Sequence, residues 1–309
     1  MNKVYDVIII GTGPGGLNAA LYGSRAGLNV AIIDKGAPGG KLSQTAKIEN
    51  WLGTEIIEGY ELAIKMFDHA IKFGAEYKYG NVKSIQKNKE LFEIYFADEF
   101  NETMYAKNVI VATGMKNKEP NWIENYETYK YKGISFCATC DGPIFKDQNV
   151  VVIGGGNSAI EESTFLANIV NDVYLIVRDN QIIAEQKLIE DLKKHTNVHI
   201  HMNSEVIKIL GNENQINTFV IKNNLDNSIF EINANGFFPF IGLLPNNQLV
   251  NNFSEILNES GFIRTDENMQ TKVKGLYAVG DIREKHVRQI VTAAADGAIA
   301  IKNIVDSKN

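Results

Sequence analysis

The sequence predicts an α/β protein with largely parallel sheets, and two observations predict it. Short β-branched runs alternate with helical patterns along the 309 residues: Tyr5 to Ile10, Val30 to Asp34, Val109 to Ala112, Val150 to Ile153 and Val173 to Val177. Two of these runs pass straight into glycine-rich turns and then into helical sequence, which is the layout of a dinucleotide-binding unit. Unbroken apolar runs of this length suit strands buried on both faces, and such strands belong to parallel sheets covered by helices.

The first unit is "VIIIGTGPGGLNAALYGSRAG". Gly11, Gly13 and Gly16 follow the strand and open a helix, and Val30 to Asp34 forms the next strand and ends in an acid. The turn is tight, its backbone must approach a pyrophosphate, and the helix must pack close to the strand, so each of these positions calls for glycine. The helix N-terminus then faces the phosphates, and Asp34 can accept from a ribose hydroxyl. A helical pattern follows in "GYELAIKMFDHAIKFG", with His69 on its solvated side.

The second unit is "NVVVIGGGNSAIEESTFLANIV". Here Gly154, Gly156 and Ala159 give the GxGxxA form, Asn157 and Ser158 start the helix, and the following strand ends at Val177, Arg178 and Asp179. Two such units imply two nucleotides. A flavin with a nicotinamide is the usual couple, because a flavin takes a hydride from the nicotinamide and passes electrons on in a form a dithiol can use.

Composition narrows the function classes. With 44% hydrophobic residues the chain can bury a large core, and its length suits two domains. A formal charge of −6 without a basic stripe excludes a nucleic-acid partner. The apolar run Val7 to Ile10 stops at Gly11, far short of a membrane span, so a cytoplasmic protein without membrane association is expected. No linker or low-complexity tract divides the chain.

Both cysteines lie in "SFCATCDGPIF", with Cys137 and Cys140 three positions apart and Asp141 beside them. In a reducing compartment such a pair is redox-active or metal-binding rather than a structural staple. A zinc site would need further ligands, for which His199 and His201 in "NVHIHM" are candidates. They read instead as surface residues on one face of a strand, and there is no second CxxC, so no metal is expected. Asp141 fits either of two roles, helix capping or proton transfer to and from the thiols. "ATG" at Ala112 to Gly114 and "FIG" at Phe240 to Gly242 read as strand-to-loop crossings beside the nucleotides, and His286 as a loop residue in solvent.

With these residues in place, the chain resembles the low-molecular-weight, bacterial-type thioredoxin reductases nearly end to end. "GTGPGG", "GGKLSQTAKIENWLG", "VIVATG", "CATCDG", "GGGNSA", "FIGLLPN" and "YAVGDIREKHVRQIVTAAADG" stand in the family's order. The resemblance implies two Rossmann-like three-layer domains, the NAD(P)-type domain being inserted into the FAD domain. Residues 1–115 and 244–309 would bind FAD, and 116–243 would bind the nicotinamide and carry the CxxC. It places Gly39, Gly40, Lys41, Leu42 and Asn50 along the flavin, Gly280 and Asp281 toward its ribityl or phosphate region, and Arg288 and Gln289 near the isoalloxazine. Lys41 stands where the family commonly has Gln. Cys140 would face the flavin, Cys137 would attack the disulfide of thioredoxin, and Asp141 would supply the proton. A homodimer is implied.

The electron donor is the point of departure from the family. NADPH-specific members follow the second strand with a basic cluster, of which only Arg178 survives here, with Asp179 beside it and Ile183 at the last basic position. NADPH is expected through Arg178, with NADH or a protein donor such as ferredoxin as the alternatives. A flavin-binding redox sensor, or a reductase of the same fold acting on another acceptor, stands against the thioredoxin reductase reading.

Overall fold

The structure is a computed structural model that describes residues 3–45, 48–97 and 102–307. Ala46 and Lys47 of the "GGKLSQTAKIENWLG" stretch therefore lie outside the described residues. The chain begins with β1 (Val4–Ile10), α1 (Pro14–Arg25), β2 (Val30–Asp34), α2 (Gly59–Lys72), β3 (Glu76–Tyr79), β4 (Val82–Asn88), β5 (Leu91–Phe96), β6 (Met104–Val111) and β7 (Met115–Asn117). It continues through α3 (Tyr126–Tyr129), α4 (Ala138–Asp141), β8 (Val150–Ile153), α5 (Asn157–Ala167), β9 (Val173–Ile176), α6 (Gln186–Leu192), β10 (Val198–His201) and β11 (Ser204–Gly211). The remaining elements are β12 (Ile216–Asn223), β13 (Ile229–Asn233), β14 (Gly236–Pro239), β15 (Leu243–Pro245), β16 (Leu276–Ala278) and α7 (Ile290–Asp306). Two compact units result, one from residues 1–116 with 244–309 and the other from 117–243.

In the first unit β1 is central and pairs in parallel with β2 and β6, while β3 extends the sheet beyond β2. Its side chains alternate between two cores. Val7 and Ile9 pack with Leu17 of α1 and with Ala300 and Ile301 of α7, whereas Ile8 and Ile10 pack with Phe92, Ile94, Val250 and Ile256. Burial on both sides is why the strand is apolar without a break from Val7 to Ile10, past Asp6 near its exposed start. The far edge of β6 is shared: Met104 and Ala106 pair antiparallel with β5, and Val109 to Val111 pair in parallel with β16. The antiparallel arm of β4 and β5 is a departure from the largely parallel sheet expected. β4 buries only Val82 and Ile85, and β5 alternates buried with partly buried residues, a weaker signal than the continuous runs.

The second unit is three-layered. A parallel sheet in the order β10-β9-β8-β14 carries α5 on one face and the antiparallel sheet β11-β12-β13 on the other. Val150 and Val152 of β8 meet Ile160 and Leu166 of α5, and Val151 and Ile153 meet Phe219 and Ile221 of β12. No helix among the described residues is long and apolar enough to cross a membrane.

Candidate functional site

The first glycine turn is a backbone cradle at the end of β1. Gly11 has φ +112°, and a Cβ there would sit 2.3 Å from the carbonyl oxygen of Ala112. A Cβ on Gly16 would lie 2.0 Å from the oxygen of Gly11, so only glycine lets α1 start this close to the strand. Gly13 has nothing within 4 Å of its Cβ direction, leaving room for a ligand where the helix N-terminus opens. That N-terminus has neither a side-chain cap nor an acid in its first turn. The cradle is closed on one side by the next loop: the Gly39 N–H donates to the Thr12 oxygen at 2.9 Å, and Gly40 lies against Gly13. Asp34 ends β2 with its carboxylate turned inward, accepting from the Thr12 N–H at 2.7 Å, the Thr12 hydroxyl at 2.6 Å and the Gly36 N–H at 3.0 Å. Lys41 and Leu42 follow in a short 3₁₀ turn. Leu42 buries its side chain with Ile48, Ile57 and Leu62, so only its backbone is left for a ligand.

Residues from the far end of the chain complete this region. Gly280, at φ +76°, lies beside Gly15, and its N–H donates to Asp296 of α7 at 2.9 Å. Asp296 is buried and also holds Arg283 at 2.7 Å and Lys285 at 2.8 Å. Burial pushes the Asp281 carboxyl above its ordinary range and Asp296 adds to the rise, while Lys285, Arg288 and Lys41 pull it back. The Arg288 guanidinium lies over the Phe262 ring, 4.4 Å from its centroid, and its Nε is buried without a hydrogen-bond partner. Asn50 donates to the Gln289 side chain at 3.1 Å across 239 residues of sequence, and Gln289 caps α7. A glycine cradle with an open centre, an uncapped helix start and an orphaned buried guanidinium nitrogen fits an anionic dinucleotide such as FAD.

Asp296 and Thr12 escaped the sequence reading. Asp296 left one signal, a lone acid inside the apolar helical stretch "VTAAADGAIA".

The second cradle repeats the device at the end of β8. Gly154 has φ +139°, and a Cβ there would sit 2.3 Å from the Phe240 oxygen. Ala159 is fully buried at the start of α5, while Gly156, Asn157 and Ser158 are exposed. Ile183 bridges to this turn through its N–H, 2.7 Å from the Gly155 oxygen, and Asn157 is locked to Glu185 through two hydrogen bonds. Arg178, exposed after β9, turns its guanidinium onto Asp179, with Nε and Nη2 each 3.3 Å from a carboxylate oxygen. His199 bonds Asp172 at 2.7 Å, and both His199 and His201 stack on Tyr174. His201 is half-buried against Phe230 rather than at the surface, and burial lowers its pKa from 6.5, with His199 adding to the drop. His69 and His286 are exposed.

Cys137 and Cys140 form a disulfide across the start of α4, in the second unit. Cys137 Sγ accepts from the Cys140 N–H at 3.1 Å and lies 3.5 Å from the Thr139 hydroxyl, and donors aimed at a sulfur favour its anionic form. Asp141 does not cap with its side chain. Its carboxylate takes the Ser135 hydroxyl at 2.6 Å, and the same hydroxyl accepts from the Cys137 N–H at 3.1 Å. Ser135 is buried and fixed to β14 through its N–H, 2.9 Å from the Phe237 oxygen, so the sheet edge positions both the acid and the cysteine. A cavity of about 490 Å³ opens beside Asp141, lined by Lys132, Ser135, Ile144, Gln148 and Asn235 among others.

Two dinucleotide folds, one nested in the other, together with a CxxC disulfide define a nucleotide-driven disulfide oxidoreductase. The chain belongs to the pyridine nucleotide-disulphide oxidoreductase family, whose model matches residues 5–297. It is 46% identical to the thioredoxin reductase of Mycoplasmopsis pulmonis over 302 residues, covering 97% of this chain and 96% of that protein. Its structure matches the crystal structure of the Lactococcus lactis thioredoxin reductase with a TM-score of 0.93 at 35% identity, covering 98% of each chain. The T. acidophilum thioredoxin reductase matches at 0.92 and 33%, over 99% of each.

Proposed function

We propose that the protein is a thioredoxin-disulfide reductase, and the observation that carries this is the Cys137–Cys140 disulfide held beside an acid in a chain with two dinucleotide cradles. The first unit would hold FAD through Gly11, Gly13, Gly16, Asp34, Gly39 to Leu42, Asn50, Gly280, Asp281, Arg288 and Gln289. Bound FAD supplies the two-electron chemistry between nicotinamide and disulfide. The second unit would take the nicotinamide nucleotide at Gly154, Gly156, Asn157, Ser158 and Ala159.

In the reduced protein Cys137 is the attacking thiolate, because its sulfur is the one that receives the Cys140 N–H and neighbours the Thr139 hydroxyl. It opens the thioredoxin disulfide to a mixed disulfide. Cys140 then attacks Cys137 Sγ, closing the pair again and releasing the thioredoxin dithiol, while Asp141, oriented by Ser135, hands a proton to the departing thiolate. The cavity beside Asp141, with Ile144 and Tyr131 exposed at its rim, gives a partner protein a surface next to that acid. A cytoplasmic homodimer belongs to the same reading, supported by the family resemblance.

The donor is a reduced pyridine nucleotide. NADPH was expected through Arg178 alone, and that guanidinium is engaged by Asp179.

The test is thioredoxin-coupled turnover of the flavin-loaded protein. Cys137→Ser and Cys140→Ser should each bring it to background while the nicotinamide still bleaches the flavin. Full turnover by either variant, or bound flavin without thioredoxin turnover in the native protein, would replace this reading with that of another acceptor or a redox sensor.

A further inference from the structure

We infer that the second cradle selects NADH over NADPH, with Asp179 reading the adenosine ribose. This rests on the second unit being the nicotinamide-nucleotide domain. In a parallel nucleotide-binding fold the residues that follow the second strand face the 2′ position of that ribose. A carboxylate there accepts from the 2′-hydroxyl, and an arginine takes a 2′-phosphate. β9 is that strand, since it pairs with β8, which feeds the Gly154 turn.

The segment after β9 is fixed in place. The Ser204 N–H donates to the Val177 oxygen at 2.9 Å and the Asn203 N–H to the Asp179 oxygen at 3.1 Å. Between those anchors Arg178 turns the Nε–Nη2 edge of its guanidinium onto Asp179. No other Lys, Arg or His lies between Lys146 and Lys187, whereas that stretch contains Asp147, Glu161, Glu162, Asp172, Asp179 and Glu185. Ile183, tied to the Gly155 oxygen and 70% exposed, adds an apolar side chain beside the turn and no donor.

A 2′-phosphate carries a charge of about −1.5 to −2. To bind here it would have to share Arg178 with Asp179 or displace that carboxylate, and in either case lie beside it. A 2′-hydroxyl donates to that carboxylate and leaves the ion pair intact. The net reaction is otherwise unchanged: one NADH and one proton are consumed, NAD⁺ leaves, and one disulfide becomes two thiols.

The experiment is anaerobic stopped-flow bleaching of the flavin-loaded protein over a concentration series of NADH and of NADPH, with NAD⁺ and NADP⁺ titrated separately by calorimetry. NADH should half-saturate, and NAD⁺ bind, at concentrations about tenfold lower than the phosphorylated forms, since a phosphate beside the Asp179 carboxylate is repelled and tenfold corresponds to about 1.4 kcal/mol. Asp179→Asn should shift the ratio toward the phosphorylated nucleotide by about tenfold or more in both measurements. Equal or tighter use of NADPH by the native protein overturns the inference and leaves the proposed function standing. A native preference for NADH that Asp179→Asn does not change removes Asp179 from the role and also overturns it. No bleaching by either nucleotide, with the flavin still reducible by dithionite, overturns the nicotinamide assignment itself in favour of a protein donor.

Discussion

In the first cradle Gly11 brings its backbone against the carbonyl of Ala112, and in the second Gly154 does the same against Phe240; a Cβ at either would sit 2.3 Å from that oxygen. Beyond this shared turn the two are braced differently. The first draws its partners inward: Thr12 is fully buried, Asp34 bonds it twice, and Asp296 ties Gly280, Arg283 and Lys285 to α7 under cover. The second is edged at the surface by the exposed Arg178–Asp179 pair and braced there by Asn157 with Glu185. A cradle locked from within suits a group that stays bound, and one edged with solvated charges suits a ligand that leaves at every turnover.

Deleting the acid on each side gives the largest contrast. Asp296→Ala strands two nearly buried cations and should cost about 3–5 kcal/mol in denaturant titrations that follow the first unit. Asp179→Ala breaks an exposed pair and should change stability by no more than about 0.5 kcal/mol. Equal costs would erase the distinction between an internal and a surface brace.

Exchanging the third position of each motif comes next. Gly16→Ala must push α1 off the Gly11 carbonyl and should cost about 1–3 kcal/mol and weaken retention of flavin, read as flavin released on gel filtration. Ala159→Gly removes a fully buried methyl from a helix start and should cost about 1 kcal/mol, with the nucleotide still bound.

The smallest effect is a pH dependence confined to the second unit. His201 has a folded pKa below its unfolded value of about 6.5, so the unfolded chain binds the proton more readily. The stability this contributes is complete above that value and is lost as pH falls through it toward the folded pKa. His201→Phe should flatten the slope on the acid side in unfolding measured at a series of pH values.

Legibility followed the physics of each signal. β1, β2, β8 and β9 were readable because strands buried on two faces carry unbroken apolar runs, as from Val7 to Ile10 and Val30 to Ile33, and both turns because only glycine permits the contacts of Gly11 and Gly154. β4, β5 and β11 to β13 were not, since half-exposed antiparallel strands carry a diluted alternation that register shifts interrupt further. Among the candidate site residues, the meeting of Asn50 with Gln289 came only through family resemblance, because nothing local links positions so distant. Ser135 was hidden for a different reason. A serine two residues before a cysteine is unremarkable until β14 fixes it between Cys137 and Asp141. The Arg178–Asp179 pairing was half legible: the letters were adjacent, but their mutual engagement is a matter of rotamers.

The crossing of α1 and α7 bears on how the chain is made. A Cβ on Gly297 would lie 2.3 Å from the Gly15 oxygen, so the two helices meet backbone to backbone, and β16 fills the part of the β6 edge that β5 leaves open. A ribosome releases α1 and β6 long before β16 and α7. During that interval the N-terminal segment carries an uncovered helix flank and an unpaired strand edge, while residues 117–243 emerge with every strand of both their sheets in one continuous stretch. The inserted unit can therefore finish first, and the unit that begins the chain is the last to close.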